Sequence, residues 1–285
     1  MKLNYLILVH KNFDQLILLI DKLSFEHARF FVHIDAKYEL LPDELQQLEN
    51  KKAVTILKDR IVVKWGGFSL VKATLSLIKS VVAAEGEDDD QLILLSGQDF
   101  PLKNNSMIYA HFLKHRNKIF MDHFTLPYND WAMDGGLDRL RFYWFMDEVS
   151  QEEAFRLYMA QKSASMIRPR LDLEYYGGSQ WWSLNRAYAR YILEYCETNS
   201  QFPDFFRHVF VADEGFFQTL LQNSPYKDHI INDNLRLIDW KSGPEYPKTF
   251  SMNDIDELAD SPKLFARKFD ITKDKAVLYS LAAAK

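Results

Sequence analysis

Four residues, Ser96-Gly97-Gln98-Asp99, directly follow the apolar run Leu92–Leu95, and Pro101 stops any continuation. A short apolar run bounded by turn residues is typical of a buried strand in an α/β sheet. Such sheets bind ligands in the crevice at the carboxyl ends of their strands. We therefore expect Asp99, the one carboxylate of this loop, to lie at a ligand site.

A candidate general base lies in the pair Asp213-Glu214, which is followed by a largely apolar stretch. The pattern predicts a helix over Asp213–Leu221, with Asp213 as its N-cap and Glu214 in its first turn. The positive end of the helix dipole favours an ionised carboxylate there, and such a group accepts a proton from a hydroxyl. Glu214 could instead only complement the dipole, as many first-turn acids do.

Cations near the C-terminal end could neutralise a bound diphosphate. Lys248 follows a Tyr-Pro pair, and Arg267 and Lys268 lie within the largely apolar segment 264–269. Cations that are partly removed from water are strong partners for phosphate. The alternative is structural, with these cations paired to Asp270 or to a carboxylate at a sheet edge.

The segment 175–182, Tyr-Tyr-Gly-Gly-Ser-Gln-Trp-Trp, combines two glycines with two tryptophans. Paired glycines let a backbone approach a ligand closely. Neighbouring residues of a strand face opposite sides, so one of Trp181 and Trp182 would lie in the core and the other could line a pocket. A hairpin with core aromatics is the alternative.

Neither the P-loop motif nor the Rossmann glycine motif occurs in the sequence. Asp88-Asp89-Asp90 would fit a D-x-D metal motif, but it precedes its strand, so we expect a solvated loop away from the crevice. His33 and Asp35 are a weak match to a metal site, because a divalent cation wants two or more hard oxygen ligands. We therefore expect no metal and no cofactor.

The composition bounds the class of protein. The chain has 285 residues, of which 47% are apolar, and its net charge of −5 gives no basic field for nucleic acid. The 6 Trp, 14 Tyr and 21 Phe are mostly expected in the core, although Trp and Tyr also suit sugar faces. Cys196 is the single cysteine, which excludes an intramolecular disulfide and a cysteine-based zinc site and predicts an unreactive core thiol.

The apolar periodicity predicts an alternation of strands and helices. The predicted strands are Leu3–Val9, Phe30–Ile34, Ala53–Leu57, Leu92–Leu95, Lys118–Met121 and Gln180–Leu184, and the predicted helices, besides Asp213–Leu221, are Phe13–Leu23 with Asn12 as its cap, a short helix from Pro42, Phe68–Ala84, Gln151–Gln161 and Arg186–Glu197. This order predicts one α/β domain over 1–285, with a nucleotide-binding half, 1–103, and an acceptor-binding and catalytic half, 104–285. The apolar start is too short for a signal peptide or a membrane span, so we expect a cytosolic protein without a transmembrane segment.

Taken in chain order, these segments resemble the glycosyltransferase family of core-2 and I-branching β-1,6-N-acetylglucosaminyltransferases and peptide O-xylosyltransferases. The resemblance is carried by Tyr5–Val9, His33-Ile34-Asp35, the Trp65 segment, Ser96-Gly97-Gln98-Asp99-Phe100-Pro101, Gly178-Ser179-Gln180-Trp181-Trp182, Asp213-Glu214 and Leu264–Asp270. It implies a GT-A-type fold, with a mostly parallel central sheet and helices on both faces. It also implies an inverting transfer from a UDP-sugar to an acceptor hydroxyl without a metal, and we expect a shorter, bacterial member.

The resemblance implies roles for individual residues. Glu214 falls on the family's catalytic base, and Lys268 on the later of two basic residues that bind the diphosphate. The earlier one is an Arg in the family; this chain has none there, and Lys248 is the nearest candidate. Asp35 falls at the uridine, and Asp99 near the donor sugar or the base.

The acceptor region, 122–175, matches the family poorly. Arg139 and Arg141 are candidate acceptor contacts, and Ser179, Trp181, Trp182 and Asp213 are expected in the sugar pocket. We expect N-acetylglucosamine as the transferred sugar, with xylose as the alternative, and a cell-surface glycan or glycolipid as the acceptor. From other classes, the alternatives are a glycoside hydrolase, which would need paired carboxylates, and a carbohydrate-binding protein without turnover.

Overall fold

The computed structural model describes residues 1–244 and 246–284. The strands are β1 (Leu3–Val9), β2 (Ala28–Ile34), β3 (Val54–Ile56), β4 (Gln91–Ser96), β5 (Asp99–Pro101), β6 (Ile119–Met121), β7 (Phe124–Thr125), β8 (Tyr176–Gly177), β9 (Trp182–Asn185), β10 (Ile230–Ile231), β11 (Arg236–Ile238) and β12 (Phe265–Arg267). The helices are α1 (Phe13–Leu23), α2 (Pro42–Glu49), α3 (Ser69–Ala83), α4 (Asn105–Lys114), α5 (Ala132–Gly135), α6 (Leu137–Arg141), α7 (Gln151–Ser163), α8 (Arg186–Thr198), α9 (Gln201–Phe206), α10 (Phe216–Gln222), α11 (Ile255–Asp260) and α12 (Lys275–Ala283). Short 3-10 turns cover Ala212–Glu214, Lys227–His229 and Met252–Asp254.

The central sheet has seven strands in the order β10-β6-β9-β4-β1-β2-β3. Neighbouring strands run parallel except where β9 pairs antiparallel with β4 and with β6. The order places β1 between β2 and β4, and both of these strands run parallel to it. The predicted α/β fold with a mostly parallel central sheet is therefore confirmed.

Helices cover both faces of this sheet. Along β1, Tyr5 and Ile7 point to one core cluster while Leu6 and Leu8 point to the other, as the alternation of a strand requires. Helices α1, α4 and α12 pack on the first face, and α3, α8 and α10 pack on the second. With apolar layers on both sides, β1 is buried along its whole length, which explains its almost continuous apolar sequence.

Helix α1 has the predicted bounds and Asn12 at its N-cap position, but the predicted side-chain cap is absent. Asn12 adopts the left-handed conformation, with φ 58°, and its side chain makes no cap hydrogen bond. Its amide instead donates to the carboxylate of Asp270 at 2.8 Å. The side chain therefore joins the end of β1 to the segment after β12, and the first turn of α1 begins without a side-chain cap.

A smaller sheet of three strands has the order β11-β12-β5. Strand β12 pairs antiparallel with β5, and the register places Arg267 opposite Asp99. Two segments that are far apart in the sequence are thereby joined beside the central sheet. This pairing places Arg267 beside the loop that follows β4.

The acidic run before β4 lies at the amino end of the sheet, as predicted, but it is not fully solvated. Asp90 is buried and accepts hydrogen bonds from the backbone N–H groups of Lys2, at 2.6 Å, and Glu87, at 3.1 Å. Asp88 is exposed and pairs with Arg190. Asp90 therefore ties the starts of β1 and β4 together.

Helix α3 has 15 residues and is the longest helix in 1–244 and 246–284. About 20 consecutive apolar residues are needed to cross a bilayer. Within those ranges, no helix combines the length and the apolar character of a membrane span.

The thiol of Cys196 lies half-buried in α8, against the second core cluster. Burial raises the pKa of this thiol to about 12. Because the thiolate is the reactive form, the raised pKa agrees with the predicted unreactive thiol.

Candidate active site

A cavity of about 530 Å³ opens at the carboxyl ends of the central strands. Its wall includes Val9, the last residue of β1, Asp35, which follows β2, and Ser96, the last residue of β4. This is the crevice in which open α/β sheets bind their ligands. The charged side chains that line the cavity are Asp35, Lys37, Arg139, Asp213, Glu214 and Arg267, together with the imidazoles of His10 and His33.

Glu214 lines this cavity, but the local structure around it differs from the prediction. Residues Ala212–Glu214 form a single 3-10 turn, and the helix α10 begins only at Phe216. Asp213 therefore does not cap a helix, and Glu214 does not lie in the first turn of α10. The helix-dipole argument fails here, and the backbone carbonyl of Glu214 accepts a hydrogen bond from Gly178 at 2.9 Å.

Arg139 is the cation that faces Glu214. Its Nη1 lies 2.9 Å from Oε2 of Glu214, and the side chains are 17% and 26% exposed. Burial raises the pKa of Glu214, while the charge and hydrogen bond of Arg139 lower it. The pair thus keeps a partly buried carboxylate at the cavity wall with one compensating cation.

Asp213 lines the same cavity and is almost fully buried. Its Oδ1 is buried without a hydrogen-bond partner in the described part of the chain. Burial, and then the charge of Glu214, raise the pKa of Asp213. An unpartnered buried carboxyl oxygen beside a cavity is a hydrogen-bonding position for a ligand hydroxyl.

The backbone is strained where the chain approaches Glu214. Val211 has φ 52°, in the left-handed region that β-branched residues rarely adopt. Its N–H donates to the carbonyl of Gly66 at 2.9 Å, and both residues line the cavity. Such strain costs about 1–3 kcal/mol and is concentrated at functional sites.

Asp35 lies at the cavity directly after β2. Its Oδ1 accepts from the backbone N–H of Lys37 at 2.9 Å, and the ammonium of Lys37 lies 3.5 Å from Oδ2. Nε2 of His33 accepts from the backbone N–H of Ile61 at 2.9 Å. One ring nitrogen of His33 is therefore used within the fold, while His33, Asp35 and Lys37 all line the cavity.

Asp99 does not line the cavity, although it lies next to its wall. The carboxylate is fully buried and accepts from the backbone N–H of Ser96 at 2.5 Å. Nη1 of Arg267 lies 3.5 Å from Oδ1 of Asp99, and Arg267 itself reaches the cavity. Arg267 therefore makes the sheet-edge ion pair that was the structural alternative and also presents positive charge to the site.

Lys248 and Lys268 lie next to each other, but neither is among the residues whose described atoms line the cavity. The backbone N–H of Lys268 donates to the carbonyl of Lys248 at 3.3 Å. The ammonium of Lys248 pairs with Asp254 at 2.6 Å. Arg141 also points elsewhere, since it pairs with Asp134 and lies 3.9 Å from Asp138.

The two tryptophans face opposite sides, as expected. Trp181 lines the cavity, and the guanidinium of Arg267 lies 4.1 Å from its ring centroid. Trp182 is fully buried and packs against Phe217, with the ring centroids 5.4 Å apart, so it does not line the pocket in which it was also expected. Ser179 lines the cavity as well.

Sequence reasoning missed several residues that line the cavity. Trp65, Trp240 and Tyr246 are each more than half exposed there, and Lys37 adds a charge two residues after Asp35. Exposed aromatic rings next to a cavity suit the apolar faces of sugars. The signal for Trp65 was present in the sequence, because its segment carried part of the resemblance, but no role was assigned to it.

In 1–244 and 246–284, no group of three or more His, Cys, Asp or Glu side chains is arranged to hold a metal ion. The metal independence of the reaction stays a prediction.

The sequence model of the Core-2/I-Branching enzyme family matches residues 3–259. The chain belongs to this family. The resemblance inferred from the motifs is therefore confirmed. The mostly parallel sheet with helices on both faces agrees with the fold that this family resemblance implied.

The curated relatives of this Core-2/I-Branching family member include xylosyltransferases. Xylosyltransferase 2 of Rattus norvegicus and that of Homo sapiens are each 28% identical to it over 297 residues, which cover 97% of this chain and 33% of theirs. The chain thus spans about a third of the length of these relatives. Among solved structures, mouse xyloside xylosyltransferase 1 matches 93% of this chain and 97% of its own with 11% identity and a TM-score of 0.43, which is too weak a likeness to support an argument.

Proposed function

We propose that this protein is an inverting glycosyltransferase that moves a sugar from a UDP-sugar to an acceptor hydroxyl and forms a β-linkage without a metal. The observation that carries the proposal is that Glu214, Asp35 and Arg267 line the same cavity. A carboxylate base, a polar group for the nucleoside and a cation for the leaving group are the parts that this reaction requires.

The reaction is one in-line displacement. Glu214 takes the proton of the acceptor hydroxyl while the acceptor oxygen attacks the anomeric carbon. The bond from that carbon to the diphosphate oxygen breaks, and UDP leaves with the electron pair. Arg267 at the cavity wall and Lys268 next to it in the chain stabilise the charge that develops on UDP, which can be the largest catalytic contribution.

For the donor sugar we propose N-acetylglucosamine, the sugar associated with the branching enzymes of this family. Xylose is the second candidate, and the names of the curated relatives favour it. The exposed rings of Trp65, Trp240 and Tyr246 at the cavity provide apolar surfaces for either sugar or for the acceptor. For the acceptor we propose a cell-surface glycan or a glycolipid, reached from the cytosol.

A panel of UDP-sugars tests the proposal. Thermal unfolding is followed with UDP-N-acetylglucosamine, UDP-xylose, UDP-glucose and UDP alone, because a ligand that binds the native state raises its melting temperature. UDP release is then measured with each donor, with and without acceptor glycans. We expect stabilisation by UDP and faster UDP release with one donor than with the others.

The variant Glu214→Gln is the control for turnover. It is expected to be stabilised by the same donor while releasing UDP far more slowly. Stabilisation without UDP release in the wild-type protein and across all acceptors would favour a carbohydrate-binding protein. Hydrolysis of glycans with no response to any UDP compound would favour a glycoside hydrolase.

A further inference from the structure

The guanidinium of Arg139 is held from two sides. Its Cζ lies 3.7 Å from the centroid of the Trp131 ring, and its Nη1 lies 2.9 Å from Oε2 of Glu214. A guanidinium that stacks on an aromatic ring keeps its plane fixed, and its donors point outward within that plane. Stacking on Trp131 therefore directs a donor of Arg139 toward Glu214.

The ring of Trp131 lies in a space that two glycines leave open. A Cβ atom at Gly136 or at Gly177 would lie 2.7 Å from an atom of this ring, closer than real Cβ contacts come. Gly136 also has φ 86°, a conformation that disfavours other residues. Phe124 contacts the ring edge to face, with the centroids 4.8 Å apart.

The backbone of Arg139 is joined to the strained segment before Glu214. The N–H of Phe210 donates to the carbonyl of Arg139 at 3.3 Å, and Val211 follows directly. Side chain and backbone thus both connect α6 to the turn that carries Glu214. A shift of α6 would move the carboxylate as well.

Arg139 compensates the negative charge at Glu214 and Asp213. Glu214 has two charged groups directly beside it. One is Arg139, from α6, and the other is Asp213, which precedes Glu214 in the chain. Asp35, Lys37 and Arg267 line the same cavity from other segments. Within 1–244 and 246–284, these two adjacent carboxyl groups therefore share Arg139 as the cation that faces them, and without it they would lie side by side at the cavity wall with no direct compensation.

We propose that Arg139, seated on Trp131, is a positioning residue that orients Glu214 and keeps it ionised for proton removal. The proposal rests on the proposed role of Glu214 as the base. It differs from the acceptor contact that the resemblance suggested for Arg139, because a positioning residue acts on kcat and on its pH dependence. A residue that only binds the acceptor acts mainly on the KM for the acceptor.

The kinetic test compares Arg139→Met, Arg139→Lys and Trp131→Leu. In Arg139→Met we expect kcat at neutral pH to fall about 10-fold to 100-fold and the acidic limb of the kcat profile to move to higher pH. Arg139→Lys keeps the charge but loses the planar fork, so it should restore the acidic limb and part of kcat. Trp131→Leu should give a smaller loss of kcat with little change in the KM for the donor.

The control is Arg156→Met, which removes an exposed Arg–Glu pair on α7. It should leave kcat and the pH profile as in the wild-type protein. An increase in the acceptor KM alone in Arg139→Met, with an unchanged acidic limb, would overturn the positioning role.

A second measurement is independent of transferase activity. Carboxyl carbons of 13C-labelled glutamates are titrated by NMR, and the Glu214 signal is identified by its loss in Glu214→Gln. We expect Glu214 to titrate at higher pH in Arg139→Met than in the wild-type protein, and near the wild-type position in Arg139→Lys. An unchanged titration would refute the proposal even if the enzyme transfers sugars, and a shifted titration would support the pairing even if no donor is found. If Arg139→Met does not fold, Trp131→Leu takes its place: the Glu214 signal should then titrate at higher pH in Trp131→Leu than in Arg139→Lys, and equal titrations would refute the proposal.

Discussion

Arg267 lies between Asp99 and the cavity, with its Nη1 3.5 Å from the Asp99 carboxylate. The Cζ atom of its guanidinium lies 4.1 Å from the centroid of the Trp181 ring, which lines the cavity. Asp99 is fully buried, so the ion pair fixes Arg267 at the wall. The loop after β4 therefore brings charge to the cavity wall through Arg267 rather than through its own carboxylate.

We expect Arg267 to contribute more to UDP binding than Lys248 does. Removing Arg267 alone would leave Asp99 buried with less compensation, so the comparison is made in an Asp99→Asn background. Arg267→Met in that background should weaken UDP binding about 10-fold to 100-fold by calorimetry, because charge-assisted hydrogen bonds to phosphate are lost. Lys248→Met should have a smaller effect, since its ammonium pairs with Asp254 at 2.6 Å. Equal losses in the two variants would contradict this assignment.

Glu214→Gln should lower kcat at least about 100-fold, because general-base catalysis contributes roughly 10²–10⁴-fold. The amide keeps the size of the side chain, so the affinity for UDP should change little. Glu152→Gln, an exposed substitution on α7, is the control and should leave kcat unchanged. Steady-state kinetics together with UDP calorimetry check the prediction, and near wild-type turnover would remove Glu214 from the mechanism.

Full activity is expected in excess EDTA. Cations of the protein, Arg267 foremost, are proposed to supply the charge that a metal would provide at the diphosphate. The measurement compares initial rates after dialysis against EDTA, with added Mg²⁺ and with added Mn²⁺. A strict requirement for Mn²⁺ would overturn the metal-free mechanism.

Asp213 should lower the stability of the fold as the pH rises. Burial raises the pKa of Asp213 above its ordinary value of 3.8. At a pH between 3.8 and the pKa in the folded state, the folded protein therefore holds a proton that the unfolded chain has released. Stability therefore decreases with increasing pH across this window. Asp213→Asn cannot ionise, so we expect it to be more stable than the wild-type protein at pH 8, with the difference shrinking toward pH 4. Urea unfolding at several pH values measures the difference, and one that does not vary with pH would refute the prediction.

Gly178 should not tolerate a side chain. A Cβ atom there would lie 1.9 Å from the carbonyl oxygen of Asp122, and the Gly178 N–H donates to the carbonyl of Glu214. Gly178→Ala should therefore destabilise the protein by about 1–3 kcal/mol or more and should also reduce kcat. Gly97→Ala is the matched control, since a Cβ atom there would meet only Val9 at 3.7 Å. Denaturant unfolding measures the free energy of unfolding of both variants, and equal values for Gly178→Ala and Gly97→Ala would contradict the prediction.

Local periodicity accounts for most of the predicted elements. The helix over Phe13–Leu23 and the strand over Leu3–Val9 have the predicted bounds, because their apolar pattern matches the layer that each one packs against. The predicted helix over Asp213–Leu221 is wrong at its start, where tertiary contacts override the capping pattern. The bond from Gly178 to Glu214 and the strained Val211 hold the chain in a 3-10 turn there.

By itself, the sequence determined the α/β class and the family, and it predicted Asp35 and Glu214 as residues that line one cavity, since apolar period, turn residues and motif order are all local or collinear signals. Only the tertiary structure decided which charges meet. The pairing of β5 with β12 places Arg267 over Asp99, and the stacking of Arg139 on Trp131 directs it to Glu214. Such contacts depend on distances between segments far apart in the chain, and no spacing within the sequence encodes them.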